Sequence, residues 1–402
     1  MIRSRRFAFV AAAILMTVVL VTLCTRGVSY VNLDSLLDEP ASFVLLLLLP
    51  ISLAVVVLPI VVLPPVALVN VAVFGGLIAL LEAGAWALTP RAPLPYGEAE
   101  VMGAPSFYRP DPALGYVQAP SAVARHRRFA GDTPTYDVTY ETDEHGRRRT
   151  PVRDDTPRTS FLLFFGDSNT FGEGLAQTQT LPYYAGTLTS RFRPYNYGVS
   201  GYGPSHVLAL ARLQRIGREV GEPDGYAVFF LIPAHIARVV GSSRVSATWG
   251  RHFPYYELGE NGSVVGRGDF VHGRPLVTLA YFFWGQSNLA AYFGVDLPPR
   301  YSEGHYRLMA RILGESRRLL AEQVRLRGFW VILGQAYTDA QARVMKRARE
   351  ALAREGVPCL DYVRLFDVGD PQYRLSEFDY HNSAAANRMI AGRLIADVSA
   401  GK

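Results

Sequence analysis

The sequence predicts an open α/β domain on a doubly wound parallel sheet, preceded by apolar segments of membrane-spanning length and a small β-rich region. Three observations carry that prediction. From Phe161 onward, short apolar strand-like runs alternate with longer helix-like segments, the pattern of a parallel sheet covered on both faces. The strand-like runs carry few charges, as burial on two faces requires. The apolar residues crowd into the first 90 positions, and the remainder has an ordinary globular composition. The predicted organisation is a transmembrane region over 1–90, a linker with a small β region over 91–157, and the α/β domain over 158–402.

Phe7 to Cys24 is apolar and follows Arg3, Arg5 and Arg6. A signal peptide has this shape, but no small-residue cleavage site follows, so an uncleaved helix is expected. Phe43 to Leu63 is a second run, long enough at about 31 Å to cross a hydrocarbon core of about 30 Å. Val66 to Leu88 is a third, with Asn70 near its start and Glu82 near its end. The positive-inside rule puts the three arginines in the cytoplasm, and three crossings then put everything after Leu88 outside it. The expected partner is therefore a lipid bilayer, and a partner protein in a membrane complex is a further reading.

Thr89 to Pro95 is a proline-rich stem. Tyr136 to Thr142 alternates with period two and ends at the turn Asp143-Glu144-His145-Gly146, which marks the small β region. In the α/β domain the expected strands are Phe161–Phe165, Tyr195–Tyr197, Ala227–Ile232, Phe329–Leu333 and Val357–Asp361. The expected helices are Leu181–Phe192, Ser205–Ile216, Glu303–Arg325, Thr338–Arg354 and Ser383–Val398. An aromatic insertion at about 233–301 interrupts the alternation and contains a hairpin turning at Asn261-Gly262. Its aromatics serve either a substrate wall or the insertion's own small core.

The net charge is +6, with no long Lys/Arg run, which argues against a nucleic-acid partner. Two local clusters, Arg125, Arg127 and Arg128, then Arg147, Arg148, Arg149 and Arg153, are expected to be solvated; contact with anionic lipid or an acidic polymer is the functional alternative. Cys24 and Cys359 fall in different layers, so no disulfide is expected, and no spacing suggests a zinc site. No metal or organic cofactor is implied.

The chemistry gathers at one stretch. The apolar run Phe161–Phe165 breaks into Gly166-Asp167-Ser168-Asn169. In an open α/β sheet ligands bind at such a break, at the carboxyl end of a strand. A serine hydroxyl needs a base to become a nucleophile. Asp379-Tyr380-His381, just before the last helix, can supply a histidine and its carboxylate from one loop. Glycines in Tyr197-Gly198-Val199-Ser200-Gly201 let backbone N–H groups approach a developing oxyanion.

Gly166-Asp167-Ser168, Asn196-Tyr197-Gly198 and Asp379-Tyr380-His381 resemble, in order and spacing, three blocks of the SGNH/GDSL hydrolase superfamily. The resemblance spans roughly Ser160 to Val398. It implies a flavodoxin-like sheet of SGNH type and acyl-ester chemistry. Ser168 would be the nucleophile, His381 the base and Asp379 its acid, with the N–H groups of Ser168 and Gly198 in the oxyanion hole. Two departures stand out. The family's usual Asn after the third strand is missing, and His235 stands about where it would be, a candidate third oxyanion donor. The acid usually precedes the histidine by three residues; Asp379 precedes by two, and Phe378 takes the usual place. Some membrane-linked polysaccharide O-acetyltransferases of the superfamily are similar in this spacing. The expected function is a membrane-anchored acyl-ester hydrolase or O-acyltransferase, outside the cytoplasm, acting on a cell-envelope glycan or lipid ester. The alternative is a catalytically degenerate module that binds glycan or a partner protein. His206, His252, His272 and His305 are expected in core or surface roles.

Overall fold

A computed structural model describes residues 65–88, 96–102, 106–130, 132–152 and 157–400. The chain divides into two compact units, Met1–Pro90 with Phe282–Leu297, and Arg91–Tyr281 with Pro298–Lys402.

In the larger unit the strands begin with β1 (Tyr96–Met102), β2 (Tyr108–Asp111), β3 (Gly115–Gln118), β4 (Val123–Ala130) and β5 (Thr133–Glu141). The α/β part contributes β6 (Ser160–Phe165), β7 (Phe192–Asn196) and β8 (Gly225–Leu231), and the insertion β9 (Pro254–Leu258) and β10 (Val264–Asp269). Then come β11 (Leu326–Leu333), β12 (Cys359–Asp361), β13 (Arg374–Ser376) and β14 (Asp379–Asn382).

The central sheet is parallel, with five strands in the order β12-β11-β8-β6-β7. Counted along this domain the order is 2-1-3-4-5, the flavodoxin-like arrangement, and its switch point lies beside the first strand. That strand is β6, so Ser168 leaves the sheet at the crevice where such folds bind ligands. Every residue of β6 is buried. Phe161, Leu163 and Phe165 enter the core on one face, and Leu162 and Phe164 the core on the other. Period two with both faces apolar is the signature of a doubly covered strand.

Helices close both faces. Glu303–Gln323 starts at the Ser302 cap and buries Tyr306, Met309, Leu313 and Leu320, one stripe at helical spacing. It shares its face of the sheet with Pro204–Arg212, His235–Val240 and Asp339–Arg354; Leu181–Thr187 and Ala384–Ser399 cover the other. The expected helix Leu181–Phe192 stops at Thr187, and β7 begins at Phe192 rather than Tyr195. Phe192 is a core residue. Pro194, which cannot donate to a ladder, is accommodated because β7 is the edge strand of this sheet, with one further bridge, between Asn196 and Arg148, beyond the proline. Pro358 likewise delays β12 to Cys359.

The small β region is an antiparallel sheet, β1-β4-β5, with a β2–β3 hairpin beside it. Its core of Phe107, Ala119, Ala122, Ala124 and Tyr140 closes over Phe171, just past the Gly-Asp-Ser break. The basic clusters are not simply solvated. Arg147 and Arg148 are buried, and the Arg148 guanidinium lies 4.3 Å from the centre of the Tyr140 ring and 4.5 Å from that of Phe171. In the insertion, Val245, Phe253, Tyr255 and Phe270 form a core of their own, and Trp249 is exposed.

In the smaller unit, helix Pro65–Leu88 packs on the short helix Asn288–Tyr292. The Glu82 carboxylate accepts hydrogen bonds from the Ser287 hydroxyl and from the N–H groups of Asn288 (2.7 Å) and Leu289 (3.3 Å), which accounts for an acid in an apolar helix. The runs Phe7–Cys24 and Phe43–Leu63 lie outside the described residues. The third expected span forms the 24-residue helix Pro65–Leu88, but among the described residues no helix is long and apolar enough to cross a membrane. Asn70 and Glu82 interrupt it, and the apolar stretch between them, Val71–Leu81, is about 16 Å long.

Candidate active site

Gly166 ends β6 and lets the chain turn tightly, because a Cβ there would lie 2.2 Å from Thr170 Oγ1. Asp167 then caps the one-turn helix Ser168–Phe171, accepting from the Asn169 N–H at 3.1 Å. This makes Ser168 the first residue of the turn and directs its hydroxyl to the rim.

Asp379 and His381 arrive on β14, paired antiparallel with β13, rather than on an open loop. Strand alternation explains the short spacing. Residues i and i+2 share one face, so Asp379 and His381 point the same way, while Phe378 and Tyr380 are exposed. The Asn382 N–H donates to Asn169 Oδ1 at 3.1 Å, tying this strand to the turn that carries Ser168. Ser168 Oγ and His381 Nε2 are 2.7 Å apart. His381 Nδ1 is 2.5 Å from Asp379 Oδ1, which also accepts the His381 backbone N–H at 3.0 Å. Serine, histidine and carboxylate thus form one continuous hydrogen-bonded line.

Further side chains, to which the sequence assigned no role at the site, complete the surroundings. Arg128 of β4 donates to Asp379 Oδ2 at 3.0 Å. Glu173 lies 3.6 Å from Arg128, accepts from Ser200 Oγ at 2.7 Å and sits 3.4 Å from the Tyr136 hydroxyl of β5. Arg238 donates to Asp167 Oδ2 at 2.8 Å and to the Tyr202 carbonyl at 2.6 Å. The signal for Glu173 was its place between two glycines just after the nucleophile turn; Arg128 carried no signal beyond its basic neighbours.

These charges set the proton affinities. Burial pulls His381 down, but the hydrogen bond it donates to Asp379 and the negative charges of Glu173, Asp379 and Asp167 outweigh it, and the imidazole is pushed up to about 9. Burial pushes Asp379 up, yet the hydrogen bonds from His381 and the charge of Arg128 hold it below the usual carboxylate range. Asp167 is fully buried, and Arg238 and His235 overcome that burial to keep it ionised.

Of the three expected oxyanion donors, Gly198 is otherwise engaged and His235 is turned to a buried carboxylate. Gly198 N–H donates to Asn196 Oδ1 at 3.0 Å, while Asn196 Nδ2 holds the Thr170 carbonyl at 3.0 Å. His235 is fully buried. Its Nδ1 accepts the Ile232 N–H at 3.1 Å, which leaves the proton on Nε2, 3.4 Å from Asp167 Oδ2. It therefore faces the carboxylate of the residue before Ser168 and not the rim. Ser168 N–H has no acceptor among the described residues. Gly198 serves close packing as well: a Cβ there would lie 2.4 Å from the Phe171 nitrogen.

His206, His252, His272 and His305 each have neighbours of their own. His206 is buried, stacks on Tyr202 with ring centres 3.9 Å apart and accepts the Gly203 N–H at 3.1 Å. His252 and His272 both contact Asp269, at 2.9 and 2.7 Å. His305 lies at the start of its helix, beside Ser302. Among the described residues no group of three or more His, Cys, Asp or Glu could hold a metal ion. A cleft of about 370 Å³ is lined by Glu303, Arg307, Arg354 and Glu355. Its charges pair with one another, Arg307 with Glu355 and Arg354 with Glu303, each at 3.2 Å, and it contains none of the residues above.

No family model matches the chain, and no curated protein matches it. Among solved structures it is similar to a member of the lipolytic protein G-D-S-L family from Veillonella parvula, at 11% identity over 59% of this chain and 97% of that one, with a TM-score of 0.36. It is also similar to a carbohydrate esterase whose active site is described as having divergent catalytic and non-catalytic binding functions, at 9% identity over 75% and 97% of the two chains, TM-score 0.35. The chemistry of this chain is read from its own side chains.

Proposed function

We propose that this chain is a serine acyl-ester enzyme of the SGNH superfamily. The observation that carries this reading is the Ser168–His381–Asp379 line, with contacts of 2.7 and 2.5 Å between elements far apart in sequence. His381 Nε2 takes the Ser168 proton as Oγ attacks the ester carbonyl. The imidazolium, held by Asp379, then protonates the departing alkoxide, leaving an acyl group on Ser168. Water or an acceptor hydroxyl, deprotonated by the same nitrogen, attacks the acyl carbon and releases the serine. Hydrolysis and O-acyl transfer differ only in that second nucleophile.

The substrate class we propose is an ester on a cell-envelope glycan or lipid, with the enzyme anchored in the membrane and its α/β domain outside the cytoplasm. The apolar runs Phe7–Cys24 and Phe43–Leu63 and the arginines at positions 3, 5 and 6 support anchoring. An outward domain needs an odd number of crossings, which the first run alone provides if the second run and the helix after it form a re-entrant hairpin.

A second reading, a module that binds esters or glycans without turnover, is favoured by one observation: Gly198 N–H donates to Asn196 Oδ1, and His235 is turned to the buried Asp167. Each missing donor costs about 3 kcal/mol of transition-state stabilisation. Incubation with a fluorophosphonate and a short-chain aryl ester separates the two. The enzyme reading expects a covalent adduct on Ser168, and turnover that Ser168→Ala lowers at least about 10⁴-fold. An unmodified serine and no turnover would favour the binding module.

A further inference from the structure

We propose that Arg128, delivered by the small β-sheet, is a positioning residue that orients the acid of the Ser168–His381–Asp379 line. This inference rests on the functional reading above and deepens it.

Asp379 has two oxygens with separate tasks. Oδ1 takes the His381 ring at 2.5 Å and the His381 backbone N–H at 3.0 Å. Oδ2 takes Arg128 Nη1 at 3.0 Å. The carboxylate is nearly inaccessible to solvent, with 4% of its side chain exposed, so an unpartnered oxygen there would be costly. Rotation about the Asp379 side chain would break both contacts at once, and the pair therefore fixes the rotamer that presents Oδ1 to the imidazole.

The strand geometry fits this task. β4 pairs with β5 in register from Val123 to Arg128, and the register shifts between Arg128 and Phe129. The residue left over at that shift is Thr135 of β5, while β4 itself runs in unbroken register with β1, Gly97 opposite Arg128 and Tyr96 opposite Phe129, so Arg128 sits on a strand paired on both sides. The sheet is braced against the nucleophile side by contacts that do not involve Arg128. The Tyr140 hydroxyl accepts the Gly174 N–H at 2.8 Å, and Arg148 donates to the Leu175 carbonyl at 2.7 Å. Arg128 thus reaches Asp379 from a surface already anchored to the turn that carries Ser168. The short Asp-x-His spacing supplies the reason for the device: both residues sit on the two-stranded ribbon β13–β14, which holds the acid less firmly than a sheet interior would.

Arg128 also acts through charge. The groups around His381 and Asp379 are Glu173 after the nucleophile turn, Asp167 at the end of β6, Tyr136 on β5, Tyr337 after β11 and Arg128 on β4. Arg128 is the cation in direct contact with the acid. Its positive charge weakens the hold of Asp379 on the imidazolium, which keeps more of His381 in the neutral, base-competent form.

The test combines two readouts on the full chain, Arg128→Gln and Arg128→Lys. The first is the pH dependence of aryl-ester kcat/KM. The second is the His381 titration followed by NMR, which needs no turnover. In Arg128→Gln the ascending limb and the His381 midpoint should both move up by about one pH unit, which is about tenfold in kcat/KM below the limb, with KM little changed. Arg128→Lys should restore most of the midpoint while leaving kcat reduced, because it keeps the charge and loses the planar fork. Melting temperatures check that the variants fold. In the Asp379→Asn background, Arg128→Gln should add little, since the group it acts through has changed. A His381 midpoint unmoved by Arg128→Gln, or a loss confined to KM, overturns the inference. A parent protein in which Ser168 forms no adduct overturns the functional reading instead, and the two failures are thereby distinct.

Discussion

The sheet rim and the small β-sheet meet at the same site by different means. The rim supplies Ser168 from the end of β6, at the switch point of a doubly wound sheet, where backbone topology alone selects the place. The β-sheet supplies Arg128 from β4, a strand paired on both sides, where only side-chain direction matters. On the proposed function the rim supplies the reacting atoms, and the β-sheet supplies their alignment and part of their charge. The difference teaches that the reacting residues of such a site can be set by the fold, while their tuning is set by whatever packs over the open edge.

If that division holds, changes at the rim should cost far more than changes at its surroundings. Ser168→Ala is the largest. Asp379→Asn should follow, with kcat lowered about 10²- to 10⁴-fold because the imidazole loses its orienting anion, measured with the aryl ester at saturating concentration. Gly198→Ala should come next, and chiefly in stability. The added methyl meets the Phe171 nitrogen at 2.4 Å and the Thr170 backbone at 2.8 Å, so the loss should be about 1–3 kcal/mol or more in denaturant unfolding.

The smaller effects test the tuning. Glu173→Gln removes an anion that helps hold the proton on His381. The imidazole is raised to about 9, so the active, neutral form is lost as pH falls below that value. Without Glu173 the ascending limb should move to lower pH, and kcat/KM at pH 7 should rise by about three- to tenfold. A limb that stays in place would separate Glu173 from the base. His235→Gln should change kcat by less than about threefold, against the hundredfold or more that loss of an oxyanion donor causes. A hundredfold fall would return His235 to the role its sequence position suggested.

Much of the rim could be read from the chain alone. A solid apolar run ending in Gly166-Asp167-Ser168 is hard to place anywhere but at a strand terminus, and His381 with Asp379 two positions earlier has a ready partner in a serine. The spacing departure became intelligible only with β14, because strand alternation puts both side chains on one face. Two of the expected oxyanion donors have neighbours that sequence did not reveal: Gly198 N–H donates to Asn196 Oδ1, and His235 is turned to the buried Asp167. Arg128 was hidden because a surface-looking basic cluster in an alternating strand says nothing about which arginine turns inward. Arg147 and Arg148 were hidden in the same way, and both are buried.

The proposed function depends on one proton moving between Ser168 and His381. The rate at which a fluorophosphonate modifies Ser168, followed by intact mass from pH 6 to 10, observes that proton without reference to any natural substrate. The rate should climb with pH, level off near 9, and disappear in Ser168→Ala. A flat profile, or modification at a residue other than Ser168, would mean that this imidazole does not activate this serine.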